Sequence, residues 1–235
     1  MKHPLIKTSL CFVLASGFMH PSSAGQIPLN GLIAGGSGAS IPTKSFLEEK
    51  FSSTVEQHYD FSCGSAALAT LLTYSYDRPT TEQQVFAEMF KNGNKKLIEE
   101  AGFSLLDMKN YLERHGYMAE GFRAPLEKLE DVSLPAIVLI NQDGYNHFVV
   151  IRGFRNGKII LSDPAVGMRS EKTQKFKKQW SGIFFIIITD VKTAQKIFNN
   201  DKTLKSVPDS PLKIARYAVT LATLQQVNIL NSRSF

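Results

Sequence analysis

The sequence predicts an α+β fold, with helices in its first half and an antiparallel sheet in its second half. Between residues 63 and 116, apolar side chains recur at helical spacing. Between 135 and 190 they form short continuous runs that are typical of buried strands. Two of these runs flank Asn156-Gly157, a dipeptide that favours tight β-hairpins. The length of 235 residues, 43% of them hydrophobic, suits one domain with appendages.

The first predicted helix runs from Cys63 to Tyr74 and is rich in alanine and leucine. Its small residues allow a neighbouring element to pack closely, which is typical of a buried central helix. The position of Cys63 at the start of this helix makes it the first residue to examine for chemistry.

Two further helices are predicted from capping patterns. Thr80 with Gln83 three residues later opens the second helix, and Ser104 with Asp107 opens the third, which ends at Gly116. Each pattern offers side-chain partners to backbone groups that a helix terminus leaves unpaired.

The predicted strands follow Leu134-Pro135. The continuous apolar runs place them at 136–140, 147–154, 158–163 and 182–190. After Asp190 the pattern weakens, and we expect a short helix near 192–198 and an amphipathic helix over 215–227.

The N-terminus has the composition of a secretory signal peptide. Lys2 and Lys7 precede an apolar run, and Ser22-Ser23-Ala24 supplies the small residues of a cleavage site. We therefore expect an exported chain, most simply a periplasmic one. The expected divisions are a signal peptide over 1–24, a flexible Gly/Pro/Ser-rich leader over 25–45, the main domain over 46–190 and a helical appendage over 191–235.

Charge and apolar run length limit the classes of partner. The whole chain has 27 basic and 21 acidic residues, and removing residues 1–24 leaves 25 against 21. This mild excess is scattered and lacks an aromatic platform, so we expect no nucleic-acid partner. The apolar run of the signal peptide is too short for a permanent membrane span, so we expect no stable membrane insertion.

Cleavage would also remove Cys11 and leave Cys63 as the single cysteine. In an oxidising compartment, an unpaired thiol is retained where it is buried, paired between chains or reactive. A helix N-terminus stabilises a thiolate through unpaired N–H groups and the helix dipole. Cys63 is therefore a candidate nucleophile, although most free cysteines are simply small buried side chains.

A cysteine nucleophile needs an imidazole, and the mature chain offers His58, His115 and His147. His115 ends a predicted helix and reads as its C-terminal cap, and His58 lies on the loop before Cys63. His147 opens a strand, where a general base would have rigid support. If the turn at 156 and 157 is tight, hairpin partners sum to about 313. His147 then lies within a few residues of Asp163, which becomes the candidate orienting group.

Gln57 lies six residues before Cys63. Its side-chain amide can donate to a developing oxyanion together with a backbone N–H. The order Gln57, Cys63, His147 and Asp163 predicts a hydrolytic or acyl-transfer site that needs no metal or other cofactor.

These residues also resemble a known family. Gln57 and Asp60, followed by Cys63-Gly64 and a run of small residues, resemble the nucleophile motif of the C39 peptidases. The other matching segments are His147-Phe148-Val149-Val150, Asp163-Pro164 and Trp180-Ser181-Gly182. The resemblance covers roughly residues 50 to 190.

The resemblance implies a papain-like cysteine peptidase fold, with the nucleophile at a helix N-terminus packed on an antiparallel sheet. By it Cys63 is the nucleophile, His147 the base, Asp163 its orienting group and Gln57 the oxyanion donor. The best-known members trim double-glycine leaders as part of a transporter, whereas this sequence has no Walker A motif. Ile33-Ala34-Gly35-Gly36 is similar to such a cleavage site, although a glycine-rich linker is the favoured interpretation.

A narrower resemblance is to the stand-alone C39-like proteins of functional-amyloid secretion systems in Gram-negative bacteria. It implies a protein or peptide substrate, such as an amyloid subunit or part of its secretion machinery, cleaved at a Gly-Gly or small-residue site. Two alternatives stay open. One is a binding module that grips such a segment without cutting it, and the other is an amidase or acyl-transfer enzyme that uses the same residues.

Overall fold

The computed structural model describes residues 45–200 except 60 and 143, together with the backbone of 25–28 and 40–43. The predicted signal peptide, Gly35-Gly36 and the predicted helix over 215–227 lie outside the described residues. The chain divides into two units, residues 1–43 and 44–235. In the first unit, within the segment expected to be a flexible leader, β1 (Gly25–Pro28) and β2 (Ser40–Thr43) form an antiparallel pair.

The second unit begins its described part with helices, as predicted. The helices before the first long strand are α1 (Phe46–Lys50), α2 (Cys63–Ser75), α3 (Glu82–Asn92), α4 (Lys95–Ala101) and α5 (Leu105–Arg114). Three helices of seven residues each follow: α6 (Leu126–Val132) and α7 (Thr173–Gln179) between strands, and α8 (Val191–Ile197) after the last strand.

The strands of this unit form one antiparallel sheet. They are β3 (Ala119–Arg123), β4 (Ala136–Gln142), β5 (Tyr145–Arg155), β6 (Lys158–Asp163), β7 (Gly167–Lys172) and β8 (Trp180–Ile187). Their order in the sheet is β3-β8-β4-β5-β6-β7. The predicted α+β class, with helices packed on an antiparallel sheet, is confirmed.

Two hydrophobic cores are built from the alternating side chains of the central strands. Phe148 and Val150 of β5 belong to the core that contains α2, whereas Val149 and Ile151 belong to a second core with residues from α6 and α7. This double burial explains the continuous apolar runs in the sequence. Helix α2 is buried along almost its whole length, as its small residues predicted.

The predicted capping pattern of α3 is wrong by one residue. Thr81 is the N-cap and exchanges hydrogen bonds with Gln84, so the predicted pair Thr80 and Gln83 is not the capping box. The Thr80 hydroxyl instead donates to the carbonyl of Arg78 in the preceding turn. The capping box between Ser104 and Asp107 is confirmed.

The β5–β6 hairpin contains an irregularity that simple counting does not predict. Pairs next to the turn sum to 313, from Arg155 with Lys158 to Gly153 with Ile160. Arg152 then forms a β-bulge, and the next pair, Ile151 with Leu161, sums to 312.

The Arg152 side chain is 3% exposed and turns toward helix α2. It donates hydrogen bonds to the carbonyl oxygens of Tyr74 near the end of α2 (2.9 Å) and of Ser53 (3.3 Å). A cation at this end of the helix is favoured by the helix dipole.

Helix α8 packs against the rest of the second unit. Ala194 is buried in the first core and Phe198 in the second. Asn199 accepts a hydrogen bond from the Phe154 backbone N–H through its side-chain oxygen (2.6 Å). None of the helices in the described ranges is both long and apolar enough to cross a membrane.

Candidate active site

Cys63 is the first residue of α2, as the sequence predicted, and is 7% exposed. The side chain of the preceding residue, Ser62, makes no capping hydrogen bond to the first turn. Behind the thiol the packing is tight, because a Cβ atom at Gly64 would lie 2.9 Å from Met108 and 3.0 Å from Phe103. The sulfur therefore lies at the positive end of a firmly held helix.

His147 and Asp163 form a buried pair. The His147 Nε2 atom and the Asp163 Oδ1 atom are 2.7 Å apart, and the two residues are 4% and 3% exposed. The predicted proximity of these residues is confirmed.

The β-bulge at Arg152 puts this pair on one face of the sheet. In the register that sums to 313, Asp163 would oppose Val150, and His147 would point to the other face. The bulge changes the sum to 312, which holds to the last pair, Val150 with Ser162, so the next residue, Asp163, comes level with Val149. His147 lies two residues from Val149 and shares its face.

The surroundings of His147 favour its protonated form. Burial of the ring lowers its pKa, but the hydrogen bond to Asp163, the Asp163 charge and the nearby Cys63 thiol outweigh this and raise the pKa to about 9. The second ring nitrogen, Nδ1, has no hydrogen bond of ordinary geometry to another side chain within the described ranges. Since Nε2 is occupied by Asp163, Nδ1 is the atom left for the thiol.

Asp163 is oriented by two further donors. The Ala165 backbone N–H donates to Oδ1 (3.0 Å), and the Arg169 Nε donates to Oδ2 (2.8 Å). Burial acts to raise the Asp163 pKa, but His147 and Arg169 outweigh it and keep the pKa below its ordinary value. Arg169 also donates to Glu171 (3.0 Å), so the cation is shared by two carboxylates.

Sequence reasoning missed Arg169. It reaches Asp163 because β6 and β7 form a second tight hairpin in which Asp163 pairs with Gly167. Gly167 has φ +79°, a conformation that favours glycine, so the presence of this glycine was a sequence signal for the turn.

Gln57 lies on the same side of the site as the His147–Asp163 pair. Its backbone N–H donates to the carbonyl oxygen of Pro164 (3.0 Å), the residue after Asp163. Its side-chain Nε2 makes a long contact of 3.4 Å with the carbonyl oxygen of Tyr59. The structure thus brings Gln57 to the pair, and its role as oxyanion donor stays a prediction.

Two open cavities meet at this site. A cavity of 810 Å³ borders Cys63 and has a largely aromatic and aliphatic wall that includes Phe103 and Phe148. A second cavity of 380 Å³ is lined by Gln57, His147 and Asp163. Tyr145 lines both cavities, so an extended ligand that crosses the site would pass the thiol and the imidazole in turn.

The other two histidines among the described residues, His58 and His115, have structural partners. His58 Nδ1 lies 2.6 Å from the Glu82 carboxylate, and His115 caps α5 and contacts Glu88 (2.8 Å). The interpretation of His115 as a helix cap is confirmed. Of these three histidines, His147 lines the cavity of 380 Å³.

Comparison with known proteins identifies the family of this sequence. A sequence model of the peptidase C39 family matches residues 52–192. The chain belongs to the peptidase C39 family. At the level of the family, the predicted class of cysteine peptidase is confirmed.

Two curated relatives of this C39 chain are called "Probable functional amyloid protease FapD". The protein of Pseudomonas aeruginosa is 41% identical over 145 residues, which are 62% of this chain and 64% of that protein. The protein of Pseudomonas fluorescens is 36% identical over 182 residues, 77% of this chain and 79% of that protein. The chain therefore spans about two thirds to four fifths of these relatives.

A solved structure was also similar. It is a double glycine motif protease from an AMS/PCAT transporter in complex with the leader peptide. The two sequences are 28% identical, and the alignment covers 57% of this chain and 89% of the chain in that structure, with a TM-score of 0.49.

Proposed function

We propose that this chain is an exported, periplasmic cysteine peptidase that cleaves a protein through a thioester on Cys63. The observation that carries the proposal is the buried His147–Asp163 pair beside a cysteine at a helix N-terminus. A protonated imidazole next to a thiol is the arrangement that stabilises a thiolate nucleophile.

The chemistry follows from the positions of these groups. The thiolate sulfur of Cys63 attacks the carbonyl carbon of the scissile bond, and the carbonyl oxygen takes up the negative charge. When this intermediate collapses, the C–N bond breaks and His147 gives its proton to the departing amine. Water then attacks the thioester and gives a proton to His147, and the C–S bond breaks to release the acid.

Asp163 and Gln57 have supporting roles in the proposal. Asp163 holds the ring so that Nδ1 faces the thiol, and it stabilises the imidazolium. The Gln57 amide donates to the oxyanion, for which the cavity it shares with His147 gives access.

The geometry favours small residues at the cleavage site. The thiol is 7% exposed, so the substrate backbone must come close to reach it, and bulky side chains next to the scissile bond would obstruct that approach. The relatives' names support an amyloid-related protein as substrate. We therefore propose a Gly-Gly or small-residue site in a co-exported amyloid subunit or in its secretion machinery.

The first test is the rate of Cys63 alkylation by iodoacetamide between pH 5 and pH 9. A free thiol ionises with a pKa of ~8.5 and reacts slowly at pH 6. We expect rapid alkylation at pH 6 in the wild type and a rate at least about 10-fold lower in His147→Ala. His115→Ala, which removes a histidine remote from the two cavities, is the matched control and should match the wild type.

The result also separates the alternatives. A slow, ordinary profile that is identical in all three proteins would support a binding module instead of an enzyme. If the thiol is reactive, incubation of amyloid-subunit peptides with the protein and an added amine, followed by mass spectrometry, distinguishes hydrolysis from acyl transfer. Cys63→Ala should abolish either product.

A further inference from the structure

Glu82 is a buried carboxylate close to the nucleophile. It is 1% exposed and is the first residue of α3, where the helix dipole favours a negative charge. A buried carboxylate is costly unless its oxygens are paired. Here Oε2 lies 2.6 Å from His58 Nδ1, and Oε1 accepts from the His58 backbone N–H (3.2 Å) and from the Ser62 hydroxyl (2.5 Å).

Ser62 carries this interaction toward Gln57. Its hydroxyl accepts a hydrogen bond from the Tyr59 N–H (3.1 Å), and its own backbone N–H donates to the Tyr59 carbonyl (3.0 Å). The Gln57 side-chain amide contacts that same carbonyl. A continuous series of contacts therefore joins Glu82 to the amide of Gln57, and it passes through Ser62, the residue before Cys63.

The direction of the Ser62 hydroxyl is the second observation. A serine at an N-cap ordinarily accepts from the first-turn N–H groups of its helix. Ser62 makes no such bond in α2, because its hydroxyl points to Glu82 and Tyr59. The first turn that carries Cys63 therefore has no side-chain cap competing for its N–H groups.

We propose that Glu82 is a positioning residue for the oxyanion site. It holds the His58 backbone and, through Ser62, the Tyr59 backbone whose carbonyl contacts the Gln57 amide, and it draws the Ser62 hydroxyl away from the first turn of α2. This inference rests on the proposed function, since it assigns Glu82 a task in acyl transfer to Cys63.

Two reactions of the Cys63 thiol distinguish a role of Glu82 in the oxyanion site from a general contribution to the stability of the fold. Acylation by p-nitrophenyl acetate passes through an oxyanion, and the release of p-nitrophenolate measures it. Alkylation by iodoacetamide forms no oxyanion and depends on the thiol and His147 alone. Neither reaction requires knowledge of the natural substrate.

The variants are Glu82→Gln, Gln57→Ala and the double substitution. We expect Gln57→Ala to slow acylation about 100-fold because it removes a donor, and Glu82→Gln to slow it about 10-fold because it loosens that donor. The double variant should be no slower than Gln57→Ala, since Glu82 acts through Gln57. Alkylation should stay within about twofold of the wild type throughout, as acid–base groups are untouched.

The matched control is Glu88→Gln, which removes another paired carboxylate from the same helix. Glu88 contacts Arg114 and His115, far from the loop over 57–62 in sequence, and its variant should acylate like the wild type. Ser62→Ala provides a second route if Glu82→Gln does not fold, because it breaks the same series of contacts without touching the carboxylate. It should slow acylation as Glu82→Gln does.

Three outcomes would overturn the inference while leaving the proposed function intact. Acylation of Glu82→Gln or Ser62→Ala at the wild-type rate would show that the loop needs no such support. An equal fall in alkylation and acylation would indicate a merely structural role, and a double variant much slower than Gln57→Ala would show that the two residues act independently. A wild-type thiol that reacts like free cysteine with both reagents would overturn the proposed function, and this inference with it.

Discussion

Replacing Asp163 with asparagine should remove a large part of the pH dependence of folding stability. His147 titrates near pH 6.5 when unfolded and near pH 9 in the folded protein. Because the folded pKa is raised, the stabilisation is fully present below pH 6.5 and is lost as the pH rises through about 9. The raised pKa corresponds to about 3 kcal/mol of folding free energy.

Asp163 supplies the largest favourable contribution to the imidazolium, through a hydrogen bond of 2.7 Å. In Asp163→Asn, burial of the ring is opposed mainly by Cys63, so the His147 pKa should fall. The wild type should therefore lose about 3 kcal/mol at this site between pH 6 and pH 9.5, and the variant much less.

The assay is urea unfolding at pH 6 and pH 9.5 under reducing conditions, with the His147 pKa measured by NMR. Groups that titrate in this range without interacting with His147 contribute equally to both proteins, and they cancel when the two pH dependences are subtracted. Asp131→Asn is the matched control, since Asp131 lies on the surface and pairs only with the exposed Lys128. Its pH dependence should equal that of the wild type.

The reasoning is refuted if Asp163→Asn keeps the wild-type pH dependence to within about 0.5 kcal/mol, the usual margin for additive effects. It is also refuted if NMR finds the wild-type His147 pKa near 6.5.

Two other substitutions test the scaffold. Arg152→Met should lower the free energy of unfolding by about 3 kcal/mol, because it leaves two backbone carbonyls without the guanidinium; Arg152→Lys should restore part of this in urea unfolding. Gly167→Ala should destabilise the protein by about 2 kcal/mol or more, because alanine is strained at φ +79° and its Cβ atom would lie 2.6 Å from the Lys50 carbonyl oxygen. Gly116→Ala has the same backbone strain, φ +78°, with nothing within 4 Å, and thermal unfolding should show a clearly smaller loss; equal losses would disprove the close contact.

The parts of the site that follow local rules could be predicted from the sequence. The start of α2 at Cys63, the hairpin at Asn156-Gly157 and the cap at Ser104 each depend on residues a few positions apart. The pairing of His147 with Asp163 followed because the hairpin limits how far these residues can separate.

The supporting residues could not be predicted in this way. Glu82, Arg152 and Arg169 are charged residues whose partners come from other segments, and nothing in their local sequence marks Glu82 and Arg152 as buried or Arg169 as half-buried. Simple counting across the hairpin brings His147 near Asp163, but without a bulge the two side chains would point to opposite faces of the sheet. A bulge at Arg152 corrects the face, and an arginine within an apolar run is a weak signal for it.

Because side chains alternate between the two faces of a strand, the side on which His147 lies depends on how many residues separate it from the bulge at Arg152. Deleting one residue between His147 and the bulge would turn every side chain before the deletion to the opposite face of the sheet. The His147 imidazole would then lose its contact with Asp163, although both residues would still be present. Deleting two residues would restore the alternation of faces. It would also move His147 about 6.6 Å along the strand relative to the thiol, so both the parity and the number of residues in this arm are constrained.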